Sequence, residues 1–216
     1  MGFFLTIVIA AIAAHLWAYP VSSAKALEFE TGMYLGQRVL LAKGEIGHGD
    51  AQALRNLLRN DPRLQEVLFN SNGGLFAEGI ELGETLRELG RVTRVPTNGI
   101  CVSACVWAFL GGALRYVDQD AKVGVHMATL INSKKIIGYV KKVLADKTTA
   151  SFDTRLRWII AKVEKGAARV AADKAEHLVK MGVSLRLLAP GLDTNQWDLY
   201  WPPRAELRAY NIVNSD

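Results

Sequence analysis

The 216-residue chain is half apolar and 22% charged, which excludes a disordered or fibrous protein and is enough for one buried core. A formal net charge of +5 and a pI near 9.2 admit a nucleic-acid partner, but no recognisable binding module accompanies them. Only Cys101 and Cys105 are present. Two cysteines are too few for a four-ligand zinc centre, and a C-x3-C spacing is that of neither a zinc ribbon nor a redox motif.

Phe3 to Tyr19 form an apolar run broken only by Thr6 and His15, followed by Pro20, Ser22, Ser23 and Ala24-Lys25-Ala26. This is the order of a secretory signal with a cleavable A-x-A site, although no basic residue precedes Lys25. The expectation is an exported, periplasmic or otherwise extracytoplasmic protein: residues 1–26 form the signal peptide and the mature chain starts at Leu27. An uncleaved membrane anchor or a buried helix are the alternatives, since a bilayer span needs about 20 residues. Residues 27–216 contain no second run of this kind and are expected to form one soluble domain.

Val39-Leu40-Leu41 reads as a strand. Asp50 then caps a helical stretch through Asn60, with Leu54, Leu57 and Leu58 at helical spacing, and Asp61-Pro62 stops it. Val67-Leu68-Phe69 is a second buried strand running into Asn70-Ser71-Asn72-Gly73-Gly74. Leu75, Gly79, Leu82, Leu86 and Leu89 fall on one stripe of a helix closed by Gly90. A third strand follows at Val92 to Val95, a loop at Pro96 to Gly99, a short apolar helix at Ser103 to Leu110, and extended runs at Leu114 to Val117 and Val123 to His126. Each parallel crossover needs a long connection, so this alternation predicts βαβ units and a largely parallel sheet.

Residues 131–182 are predicted to be a helical insertion of one or two helices. Lys134, Lys135, Lys141 and Lys142 form its solvated face, with an anionic membrane surface or an acidic partner as the alternative. The tail adds a helix around Ala205 to Tyr210 and a short strand near Ile212-Val213.

Ser103 stands where a strand and loop meet an apolar helix. Its hydroxyl there lies beside unpaired N–H groups and the positive end of the helix dipole, which favours developing negative charge. The position suits a plain N-cap equally well, and the G-x-S-x-G elbow is absent. Gly73-Gly74, at a strand end, either brings backbone N–H groups close to a ligand or makes a tight turn. His126 ends an apolar strand, where ligands collect in α/β sheets, and histidine is the commonest general base. His15 lies in the export segment, His48 in a Gly-flanked loop and His177 on a helical face, so none is a better base. Cys101 and Cys105 could pair in an oxidising compartment, although positions one helical turn apart are demanding for a disulfide; the preferred reading is two small buried hydrophobes.

These features, with 29 residues from Gly74 to Ser103 and 23 from Ser103 to His126, resemble the Clp protease proteolytic subunit and its crotonase-like relatives, especially exported ones. The motifs are Leu68-Phe69-Asn70-Ser71-Asn72-Gly73-Gly74, Cys101-Val102-Ser103-Ala104-Cys105 and Val123-Gly124-Val125-His126. The resemblance covers Val39 to His126 and, more loosely, Trp197 to Val213. It implies a spiral of βαβ units and a serine peptidase without cofactor or metal. Ser103 is then the nucleophile, His126 its base, the N–H groups of Gly74 and Ala104 the oxyanion hole, and Asp198 the third triad member ahead of Asp193 and Asp153. It further implies a peptide or protein substrate and a homo-oligomer. Asn72 stands where the family usually has proline. The helical stretch before Asp198 is longer than in the protease, which bears on barrel-shaped assembly and substrate access. Competing readings are a non-catalytic binding or scaffold protein of the same fold, a crotonase-type acyl-CoA enzyme, against which export argues, and a Ser-Lys dyad using Lys122 or Lys134.

Overall fold

The computed structural model describes residues 26–128, 133–147 and 150–215. Residues 1–25, which hold most of the expected signal peptide, Asp216 and the two short stretches between lie outside the described residues. In chain order the elements are β1 (Glu28–Tyr34), β2 (Gln37–Ile46), α1 (Asp50–Asn60), β3 (Glu66–Gly74), α2 (Phe76–Glu88), β4 (Val92–Val95), β5 (Ile100–Val102), α3 (Ala104–Leu110), β6 (Arg115–Val117) and β7 (Lys122–Gly124). The helices α4 (Lys134–Ala145), α5 (Phe152–Lys180), α6 (Leu188–Asp193) and α7 (Arg204–Ala209) follow.

β1 and β2 form an antiparallel hairpin through Leu35 and Gly36, both at positive φ, the two-residue turn that matches strand twist. Every other pairing between these strands is parallel: β2 with β3, β3 with β4, and β4 with β6. β3 divides its edge. Glu66 to Leu68 pair with β4, whereas Ser71 pairs with Cys101 of β5, which in turn pairs with β7. The expected α/β architecture with a largely parallel sheet and an added helical segment is the observed one. β1 goes beyond the sequence reading because only Phe29, Met33 and Tyr34 among its residues carry large apolar or aromatic side chains, and most of its side chains face solvent.

α3 lies at the centre, with all seven residues buried. α2 crosses it in near backbone contact: a Cβ on Gly79 would sit 2.3 Å from the Ala104 carbonyl oxygen, and one on Gly83 2.4 Å from that of Trp107. Leu54, Leu58, Phe69, Leu82, Leu86 and Phe109 fill the surrounding core.

The strand expected at Ile212-Val213 is not formed. The N–H groups of both residues donate to the Leu207 carbonyl and close α7, while the carbonyls of Asn211 and Ile212 accept from the guanidinium of Arg115. Arg115 is 1% exposed and also reaches the carbonyls of Leu110 and Gly112, and burial pushes its pKa down to about 10. The tail is thus held by a buried side chain in place of a strand ladder.

The helical insertion is two helices. α4 packs on α5 and buries no residue fully, and its four lysines are exposed as expected. The C-terminal turns of α5 instead enter the core, with Lys174, His177 and Leu178 buried and Met181 following. His177 Nε2 donates to the Trp107 carbonyl at 2.9 Å, and burial lowers its pKa, so it serves as a neutral packing residue. Among the described residues no helix is long and apolar enough to cross a membrane.

Candidate functional site

Ser103 sits between β5 and α3 with φ 56° and ψ −121°. Positive φ is rare for a residue with a Cβ, because the side chain crowds the flanking carbonyls, and it tends to collect at functional turns. Backbone bonds hold the turn: the Ser103 N–H donates to Gly124 O at 3.0 Å, and its carbonyl accepts from Val106 N–H at 3.0 Å. The side chain makes no capping hydrogen bond. The plain N-cap role is therefore unused, and the hydroxyl is left half-buried without a partner among the described residues.

Cys101 and Cys105 are joined in a disulfide, which corrects the reading of two separate buried hydrophobes. Cys101 is in β5, so the pair does not lie on successive turns of one helix. The kink at Ser103 folds the chain back and leaves the Cα atoms 5.2 Å apart, within the ordinary disulfide range. The bond staples strand to helix across the serine.

The end of β3 is wedged against the same turn. A Cβ on Gly73 (φ 94°) would lie 2.6 Å from Val102 O, 2.8 Å from Ser103 Cβ and 2.9 Å from Ala104 N. A Cβ on Gly74 (φ 145°) would lie 2.2 Å from Ile46 O. Only glycines let three chain segments meet here. Ala104 opens α3, so its N–H is one of the first-turn donors that lack an intrahelical acceptor.

Ser103, Gly74 and His126 line one pocket of about 490 Å³, together with Glu45, Leu75, Phe76, Trp107, Val125, Ala128, Ser133 and Lys174. His126 follows β7, whose end is anchored to the tail by the Val125–Tyr200 bridge and by Met127 N–H donating to Thr194 O at 2.9 Å. The His126 Nδ1 lies 2.8 Å from the Met127 carbonyl, which only accepts, so Nδ1 carries the proton and Nε2 keeps its lone pair in the neutral ring. No hydrogen bond joins Ser103 to His126 in this state.

Asp198 is not among the residues lining this pocket. It is exposed in the turn closed by its own N–H on Asn195 O, and among the described residues its side chain makes no hydrogen bond or ion pair. Asp193 and Asp153 are likewise exposed and outside the pocket. Lys122 lies over the Trp201 ring, 5.9 Å from its centroid, and Lys134 is exposed on α4, so neither dyad lysine lines the pocket.

The lysine that does so is Lys174, 2% exposed, whose Nζ donates to the His126 carbonyl at 3.4 Å and lies 5.3 Å from the Trp107 ring centroid. Burial lowers its pKa to about 8. The sequence reading includes Lys174 in the helical insertion without singling it out. The available signal was its place three, four and seven residues before His177, Leu178 and Met181, which makes it a lysine on an apolar stripe.

The fold and site thus define an α/β protein carrying a serine on a strained strand-to-helix turn, a histidine at the neighbouring strand end, and a pocket shared by both. No protein-family model matches the chain, and no curated protein sequence matches it. Among solved structures the chain is similar to a point mutant of ClpP1 from Listeria monocytogenes, at 18% identity and a TM-score of 0.47, covering 81% of this chain and 88% of that one.

Proposed function

We propose that this chain is an exported serine hydrolase of the Clp-protease-like, crotonase-fold type, acting on peptide or protein substrates. The observation that carries the reading is Ser103: a serine held at positive φ by backbone bonds and a flanking disulfide, with its hydroxyl uncapped and on the wall of a pocket that also holds His126. Strain of this kind is retained where it serves a site.

In the proposed mechanism the His126 Nε2 lone pair accepts the Ser103 proton as Oγ attacks the scissile carbonyl. The N–H groups of Gly74 and Ala104 stabilise the oxyanion, and His126 then returns the proton to the leaving amine. Water hydrolyses the acyl-enzyme by the same path. Catalytic hydrogen bonds are often long or unmade without ligand, so in this mechanism the Ser103–His126 contact is completed on substrate binding. The Met127 carbonyl fills the orienting role that the resemblance assigns to Asp198. The disulfide supports an oxidising, extracytoplasmic location. Exposed Phe152, Trp158 and Ile160 on α5 supply apolar area for self-association.

The test is a fluorophosphonate probe on the exported protein, read by mass spectrometry. A single adduct on Ser103 is expected, slowed at least about 100-fold by His126→Ala and little changed by Asp198→Asn, as befits loss of a general base against loss of an uninvolved carboxylate. No adduct, with no turnover of broad peptide and ester libraries, would transfer the assignment to a non-catalytic binding or scaffold protein.

A further inference from the structure

Lys174 is a cation buried to 2% exposure on the wall of the Ser103 pocket. Buried charges are ordinarily paired, because desolvation is costly unless a counter-ion offsets it. Lys174 has none: among the described residues its one hydrogen bond is the long contact to the His126 carbonyl, and the Trp107 face compensates only in part. Glu45, also on the pocket wall, is exposed and forms no ion pair with it. An ammonium has three donors, so two lack an acceptor among the described residues. The neighbouring wall is apolar, formed by Leu75, Phe76, Trp107, Val125 and Ala128. With a pKa near 8 the group is mostly protonated at neutral pH.

We infer that Lys174 is a carboxylate-recognition residue, and that the substrate presented to Ser103 has an apolar body and a free carboxylate near the bond attacked. The apolar wall takes the body, and the carboxylate supplies the acceptors and the negative charge that the protein withholds from Nζ. A charge-assisted pair formed in so dry a site is strong and directional. The inference rests on the serine-hydrolase reading for the reaction, but the binding preference itself does not require turnover. A peptide C-terminus and an acidic side chain carry the same chemistry.

The experiment is calorimetric binding of three short N-acetylated apolar peptides to the full chain carrying Ser103→Ala. One has a free C-terminus, one is amidated with a single glutamate, and one is amidated and neutral. At least one carboxylate peptide is expected to bind about tenfold or more tightly than the neutral one, the scale of a charge-assisted hydrogen bond. Which of the two does so identifies the source of the carboxylate. Adding Lys174→Met, or Lys174→Gln if the first variant melts much lower, is expected to abolish the preference. Equal binding of all three peptides, or a preference that survives in a folded Lys174 variant, overturns the inference. Lys174 acting only as a proton acceptor for Ser103 would leave the preference intact and so counts against it. Failure of the wild-type serine to react with fluorophosphonate would remove the hydrolase reading while leaving the binding result to stand or fall alone.

Discussion

Ser103→Gly separates a strained catalytic turn from a helix cap. Holding a residue with a Cβ at φ 56°, ψ −121° costs about 1–3 kcal/mol, which glycine does not incur. Glycine's greater freedom in the unfolded chain takes back about 0.5–1 kcal/mol. The variant is therefore expected to be more stable than the parent by roughly 0.5–2 kcal/mol, or about 2–4 °C in Tm per kcal/mol for a chain of this size. Ser103→Ala keeps the Cβ and the strain and loses no capping bond, so its stability should stay within about 0.5 kcal/mol of the parent. A capping serine gives a different order: alanine would cost about 0.5–2 kcal/mol and glycine only a few tenths. Thermal unfolding of the three proteins with the disulfide intact decides between them, and both variants should lose fluorophosphonate labelling. A glycine variant less stable than the parent, or an alanine variant lower by more than about 1 kcal/mol, would refute the strain argument.

Processing before Leu27 would turn its N–H, now 3.0 Å from the buried Asp50 Oδ2, into an ammonium facing a carboxylate. Burial holds the Asp50 pKa above the usual carboxylate range despite its backbone hydrogen bonds, with nearby Glu78 adding to the rise. The processed protein is expected to melt higher than one carrying a single extra residue before Leu27, and Asp50→Asn should erase the gap; equal Tm values would refute the pairing. Replacing Cys101 and Cys105 by serine removes a short staple worth about 2 kcal/mol in chain entropy. It should slow Ser103 labelling as well as lower Tm, and unchanged labelling would separate the disulfide from the site. The folded pKa of Lys174, about 8, lies below its ordinary 10.5. Between these values the unfolded chain holds a proton that the folded chain has released, so stability should rise with pH across that window, and below about pH 8 the full burial cost is present. Denaturant melts at pH 8 and 10.5 should show a smaller rise for Lys174→Met; identical rises would refute the assignment.

Much of the βαβ core was legible because its signals are local. Leucines at helical spacing between Asp50 and Asn60, the apolar run at Val67 to Phe69, the β-branched residues at Val92, Thr93 and Val95, and glycines closing helices each report on their own few residues. The chain positions of Ser103, Gly74 and His126 at element ends were visible for the same reason, and all three line one pocket. β1 escaped because its pairing is made by backbone groups of β2 and leaves little pattern in its own side chains. The disulfide escaped because the fold-back at Ser103 is a dihedral choice that Gly73 makes room for from another strand. Lys174 is the clearest case: its charge suggests solvent, and nothing within its helix says that Trp107 and the His126 carbonyl will enclose it. Patterns of polarity along the chain thus determined the elements and the candidate serine and histidine. Which groups share a pocket, which charge is stripped of water and which acid is left outside were decided only by tertiary packing, because desolvation and counter-ion pairing depend on neighbours brought together from distant parts of the chain.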